Sequence, residues 1–222
     1  MTSLRTLTLG LLMWTNHALW GADAASANPA PAKAPRIVVL GDSITAGYGI
    51  DPSAAYPNLL QAKIKQAGLN YEVVNAGLSG DTTSGGLRRI DWALGQGAEV
   101  LIVALGGNDG LRGLPPKQTA GNLEQIVLRA RARLPQLTVI IAGMQMPLSM
   151  GRDFAEQFAA LFPRVAKETR ADLVPYLLEG VGGVAKLNQP DLIHPTPEGQ
   201  QRIAENVWAV LKPVLEKRKA TP

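Results

Sequence analysis

The chain has 222 residues, of which 46% are hydrophobic and 18% charged, with a formal net charge of +4 and no cysteine. This balance excludes a disordered, fibrous or multi-span membrane protein, and a chain of this size can bury about 70% of its unfolded surface in a single core. The absence of cysteine removes disulfides, thiolate zinc sites and a cysteine nucleophile together.

Met1 to Arg5 carries one positive side chain and is followed by the mostly apolar stretch Leu7 to Trp20. This pattern reads as a signal peptide over residues 1–24, and Ala22-Asp23-Ala24 and Ala25-Ser26-Ala27 offer small residues for cleavage after Ala24 or Ala27. A retained anchor is the alternative. Residues 25–35, rich in Ala and Pro, form a linker. The folded domain is expected over 36–216, with a basic tail over 217–222. An exported product, periplasmic or secreted, is implied. No later segment approaches the roughly 20 apolar residues that span a bilayer, so stable membrane insertion is not expected.

Within the domain, β-branched apolar runs recur at Arg36 to Leu40, Tyr71 to Asn75, Val100 to Leu105, Leu137 to Ala142 and Asp172 to Tyr176. Helix-compatible segments alternate with them, at about 54–67, 83–94, 118–134, 154–169 and 197–216. Continuous apolar strands alternating with helices predict an α/β fold: a three-layer α/β/α sandwich around a five-stranded parallel sheet. Arg129 and Arg133 share a helix face while Arg131 points away, which fits a solvated surface, and no nucleic-acid partner is expected.

Ligands of such sheets bind outside the carboxyl ends of the strands. The unusual polar and glycine-rich stretches fall there: Gly41 to Thr45, Ala76 to Gly86 and Gly106 to Gly110. His17 lies in the export signal, so His194 is the one histidine of the expected mature chain. Histidine suits proton transfer near neutrality, and Asp191, three residues upstream, is placed to accept from the imidazole. Ser43, directly after the first strand, supplies a nucleophile that needs such a base. Alone it also reads as a helix N-cap, and Asp-x-x-His alone as a structural turn. Oxyanion donors come from Gly80, whose lack of a Cβ lets a backbone N–H approach a ligand, and from the Asn108 amide between small neighbours. Singly, these also read as turn formers.

Gly41-Asp42-Ser43, Gly80, Gly106-Gly107-Asn108-Asp109 and Asp191-x-x-His194 resemble, in order and spacing, the four blocks of the SGNH (GDSL-like) hydrolases. Ser79 to Thr82 and Gly106 to Gly113 look most like the branch of bacterial periplasmic thioesterases, lysophospholipases and arylesterases. The resemblance implies a flavodoxin-like sheet and a triad of Ser43, His194 and Asp191. It also implies an oxyanion hole of the Ser43 and Gly80 N–H groups with the Asn108 amide. Ile44 replaces the leucine of the motif name, and Gly77 stands where relatives often carry serine, so the wall beside the oxyanion hole is expected to differ. No serine has the Gly-x-Ser-x-Gly setting of an α/β-hydrolase.

The expected activity is hydrolysis of esters and thioesters through an acyl-enzyme, with no cofactor and no metal, on small or lipid-like substrates such as aryl esters, acyl-CoA and lysophospholipids. A rate that falls on acidification through the histidine range is expected. Leu111, Met144, Met146 and Pro147 are candidate acyl-pocket residues. The alternative for the methionines is a plugged core or covered loop. Leu111 to Pro116 is expected to act as a flap. Two rival readings are a carbohydrate acetylesterase of the same fold and a noncatalytic binding module. A monomer is favoured.

Overall fold

The computed structural model describes residues 33–219. The expected signal peptide, residues 25–32 of the linker and residues 220–222 of the tail lie outside them.

Three runs of the sheet are apolar without interruption, and a strand in which every side chain is apolar must be covered on both faces. They form β1 (Arg36–Gly41), β3 (Val100–Ala104) and β4 (Thr138–Ala142), and Ile37 to Leu40, Val100 to Ala104 and Val139 to Ala142 have no exposed surface. Full burial of each Val, Leu or Ile contributes about 1.5–3 kcal/mol. The polar-punctuated β2 (Glu72–Gly77) and the short β5 (Asp172–Val174) take the edges. All pairings are parallel, in the order β2-β1-β3-β4-β5. Val38 lies opposite Val74 on one side and Leu101 on the other.

The crossover helices are α2 (Tyr56–Gln66), α3 (Thr83–Ala93), α5 (Pro116–Arg133), α6 (Arg152–Thr169) and α7 (Pro197–Lys219). α3, α5 and α6 pack in series on one another, and α2 packs with α7. Two helical layers thus sandwich the sheet, as expected. α7 runs three residues past its expected end, so Lys217 to Lys219 continue the helix. Arg129 pairs with Asp91, and Arg131 donates to the Thr169 and Arg170 carbonyls at the end of α6. Two of the three clustered arginines therefore join neighbouring elements.

Two short helices stand in the polar, glycine-rich stretches: α1 (Ser43–Ala46) and α4 (Gly107–Leu111). They begin two and three residues past the end of a central strand, β1 for α1 and β3 for α4, beside the point where the strand order reverses. Leu111 therefore ends a helix, and of the stretch expected to act as a flap, Leu111 to Pro116, the first residue ends α4, the last begins α5, and a turn joins them.

Gly41 and Gly77 are opposite one another at the ends of β1 and β2. A Cβ on Gly77 would lie 2.3 Å from the Ala46 nitrogen and 2.8 Å from its Cα, both backbone atoms of α1. The space beside residue 77 belongs to α1 packing. Gly77→Ala should therefore cost about 2 kcal/mol of stability through overpacking. Urea unfolding should show a lower midpoint at unchanged slope. An unchanged midpoint would mean that α1 yields freely.

Candidate active site

β1 ends at Gly41, and Asp42 turns the chain into α1. Its Oδ1 accepts the Ile44 N–H at 3.0 Å, so the N-cap is Asp42 and the capping alternative for Ser43 is overturned. Ser43 becomes the first helical residue, 8% exposed, at the lip of the sheet. The Gly47 N–H closes the single turn on the Ser43 carbonyl, with Gly47 at φ +77°. Thr45 anchors the other side of that turn, its hydroxyl 2.8 Å from the fully buried Tyr56 hydroxyl.

His194 arrives from 151 positions away. Its Nε2 is 2.9 Å from Ser43 Oγ, and its Nδ1 is 2.6 Å from Asp191 Oδ2. The other Asp191 oxygen accepts the Ile193 and His194 N–H groups at 2.9 and 3.0 Å. Together with the imidazole bond, these donors hold the Asp191 carboxyl down at about 2. Ionised, it only accepts, so the proton of the shared bond sits on Nδ1 and leaves the Nε2 lone pair facing Ser43. The Tyr48 ring lies 4.5 Å from the imidazole, centroid to centroid.

Two glutamines dock this turn. Gln189 donates its backbone N–H to the His194 carbonyl at 2.7 Å, and its side-chain amide donates to the Tyr48 carbonyl at 2.8 Å. Gln200, 1% exposed in α7, accepts the Tyr56 N–H and donates to the Ile44 carbonyl. The start of α7 is thereby tied to the helix that carries Ser43.

The third block sits on α4. Gly106 takes φ +119°, and a Cβ there would reach within 3.0 Å of Phe162. The Asn108 amide donates to the Asp81 carbonyl at 2.9 Å and approaches Asp42 Oδ2 at 3.4 Å. Asp109, fully buried, accepts the Thr83 N–H at 2.9 Å and its hydroxyl at 2.5 Å, which pins the start of α3 to α4. Gly80 has φ +78°, and its carbonyl accepts from Arg112 at 2.9 Å.

Arg89 of α3 is the hub that reading the sequence missed. Its guanidinium donates to Asp81 Oδ2 at 2.7 Å, to the Ala76 carbonyl at 2.8 Å and to the Gly41 carbonyl at 2.9 Å. One side chain thus joins the ends of β1 and β2 to the loop that positions Asn108. Asp81 and Arg89 are eight residues apart, and Arg88 beside it merely reaches Ser84 on the surface. No local pattern separates the two arginines.

An apolar groove of about 460 Å³ opens beside Ser43. Leu111, Met144, Met146 and Pro147 all line it, with Ile44, Leu178 and Ile193. Met144 is also part of the buried core, at 2% exposure, and Met146 packs against Gly110 of α4. A larger depression of about 830 Å³ lies at the amino ends of β3 to β5, where Arg218 pairs with Glu99. It contains no candidate site residue.

A hydroxyl, an imidazole and an ionised carboxylate in hydrogen-bonded series, at the carboxyl edge of a 2-1-3-4-5 parallel sheet, define the serine-hydrolase class of α/β protein. The sequence profile of the GDSL-like Lipase/Acylhydrolase family matches residues 39–202. The esterase TesA of Pseudomonas aeruginosa is 44% identical over 185 residues, 83% of this chain and 91% of that protein. The thioesterase 1/protease 1/lysophospholipase L1 of Escherichia coli K12 is 38% identical, covering 83% and 86%. Among solved structures, TesA superimposes with a TM-score of 0.77 at 42% identity, covering 80% of this chain and 98% of that one. The psychrotrophic esterase EstA from Pseudoalteromonas sp. gives 0.76 at 30% identity, covering 82% and 98%. The chain belongs to this family of ester-hydrolysing enzymes.

Two outcomes follow from the geometry. Arg89→Met should lower stability by about 3 kcal/mol, because it strands the buried Asp81 carboxylate. Turnover should fall more than the stability of the remaining folded fraction explains; full activity per folded molecule would mean that Arg89 positions nothing. Burial raises the Asp42 carboxyl to about 6, against the Ile44 N–H and His194, which pull it down. With the folded value above the unfolded one, the stabilising contribution is complete below about pH 4 and lost as pH rises through 6. Asp42→Asn should therefore gain about 2 kcal/mol on wild type between pH 4 and 7 in paired urea melts. A gap independent of pH would show that Asp42 titrates as an ordinary carboxylate.

Proposed function

We propose that this chain is an esterase and thioesterase working through Ser43, His194 and Asp191, on substrates with an apolar acyl chain. The observation that carries the reading is the Ser43–His194–Asp191 relay, at 2.9 and 2.6 Å, whose chain neighbours Ile44, Leu192 and Ile193 line an apolar groove.

In the first step Ser43 Oγ attacks the carbonyl carbon and passes its proton to His194 Nε2, while Asp191 holds the imidazolium. The carbonyl oxygen becomes an oxyanion facing the Ser43 and Gly80 N–H groups and the Asn108 amide. Collapse expels the alcohol or thiol, which takes the proton from Nε2 and leaves an acyl-serine. Water, deprotonated by the same nitrogen, then attacks the acyl carbon, and the serine leaves with the proton. All of these groups come from one chain, which supports a monomer as the working unit.

Aryl esters, acyl-CoA and lysophospholipids share what this arrangement asks for: an activated or accessible carbonyl with a single apolar chain. The relatives named for thioesterase, lysophospholipase and esterase activity support that range. A carbohydrate acetylesterase has no use for a groove of this size and lining, which speaks against that rival. For the location, the apolar stretch and small-residue cleavage motifs of residues 1–24 support export to the periplasm or beyond; no helix among the described residues is long and apolar enough to cross a membrane.

Purified protein should hydrolyse p-nitrophenyl esters and acyl-CoA, with decanoyl preferred to acetyl. Ser43→Ala should reduce kcat by about 10⁴ or more, and Asn108→Ala by about 10² to 10³. Equal activity of Ser43→Ala and wild type would remove Ser43 from the mechanism.

A further inference from the structure

Two non-glycine residues among those described take a left-handed backbone. Arg170, at φ 52°, closes the end of α6, the ordinary place for such a conformation. Leu192, at φ 60°, closes no helix. It sits between Asp191 and His194, inside the turn that Gln189 and His194 seal.

The backbone step itself has a clear purpose. It directs the successive N–H groups of Ile193 and His194 onto one oxygen of Asp191, a small anion nest that leaves the other oxygen free for the imidazole. Glycine would make that step without strain, whereas a leucine pays a steric penalty for it. The side chain recovers nothing within the fold. Leu192 is 59% exposed and belongs neither to the buried core nor to the partly buried hydrophobics packed against it. What it does face is the groove, which it lines together with Leu111, Leu148 and Ile193. All four are exposed large hydrophobics.

We infer that Leu192 is a specificity-determining residue, whose side chain lies along the substrate's acyl chain and favours long chains over acetyl. This rests on the esterase and thioesterase reading above. The triad turn then does two things at once: its backbone orients the base, and its leucine measures the substrate. A chain that reaches past the carbonyl covers the exposed face of Leu192, and an acetyl group does not. The strain is retained because the apolar contact exists only in the complex.

The test compares p-nitrophenyl decanoate with the acetate in wild type, Leu192→Gly, Leu192→Asn and Leu192→Met. The decanoyl-to-acetyl ratio of kcat/KM should fall about five- to tenfold in the glycine and asparagine variants, as expected for losing part of one buried leucine. It should be largely kept by methionine. The urea midpoint of Leu192→Gly should equal or exceed that of wild type, since the left-handed step is no longer strained. An unchanged ratio, or equal losses on both esters, would overturn the proposal, the latter by placing Leu192 in the orientation of His194. A second measurement is independent of turnover: calorimetric titration of decanoate into Ser43→Ala, with and without Leu192→Gly. Binding about fivefold weaker in the double variant supports the contact; equal binding refutes it. A wild type inactive on every ester would refute the proposed function alone, and the titration would still decide the role of Leu192.

Discussion

At the carboxyl end of β1 the chain leaves a strand that is hydrogen-bonded on both sides and starts a helix within one residue. That constraint governs the rest. β1 is flanked by β2 and β3, so the connections that follow it run to opposite sides of the sheet and leave a crevice above its end. Only a residue without a side chain fits at Gly41, where a Cβ would lie 2.0 Å from the Thr45 hydroxyl. A capping side chain at Asp42, accepting the Ile44 N–H, starts the helix there abruptly. Ser43 reaches the lip of the sheet, with its hydroxyl 2.9 Å from His194 Nε2, because those two neighbours solve the geometric problem.

The crevice is then furnished by polar groups that hold each other. Asp109 ties α4 to α3, Arg89 ties α3 to the ends of β1 and β2, and Asn108 leans on the Asp81 carbonyl within the same set. Gln189 and Gln200 bring the His194 turn against α1. These bonds join segments far apart in sequence, and their donors and acceptors are mostly shielded from water. The buried ones, from Asp109 and Gln200, are worth more than a surface contact and leave an unsatisfied partner if removed. The arrangement resembles a preorganised site, in which the dipoles are fixed before the substrate arrives. Asp42 shows the cost: its carboxyl is kept in a dry place, with its affinity for a proton raised, because the cap is needed there.

The groove extends the same packing to the surface. Met144 belongs to the core, Met146 seals against α4, and the exposed leucines on the lips remain open. Met144 belongs to the buried core and Met146 packs against it, and both also line the cavity. A flexible thioether serves both demands better than a branched side chain would.

By itself the sequence determined the layer architecture and the strand positions to within a few residues, and it singled out Ser43, Gly80, Asn108, Asp191 and His194 as candidates, of which the fold brings Ser43, His194 and Asp191 into one hydrogen-bonded series. The reason is that apolar runs and glycine placement are local consequences of burial and backbone sterics, while the four blocks are short enough to be read one at a time. Tertiary structure alone decided that α1 and α4 are helices, since four or five residues carry no periodicity. It alone decided which of two adjacent arginines is the hub and that Asp42, not Ser43, is the cap. It also gave Leu192 its left-handed backbone. The hub and the His194–Ser43 contact depend on distant groups coming within hydrogen-bonding reach, at separations of 13, 48 and 151 residues, while the cap and the left-handed step use local bonds whose geometry is set by the elements packed around them, and neither is a property that a local stretch of sequence contains.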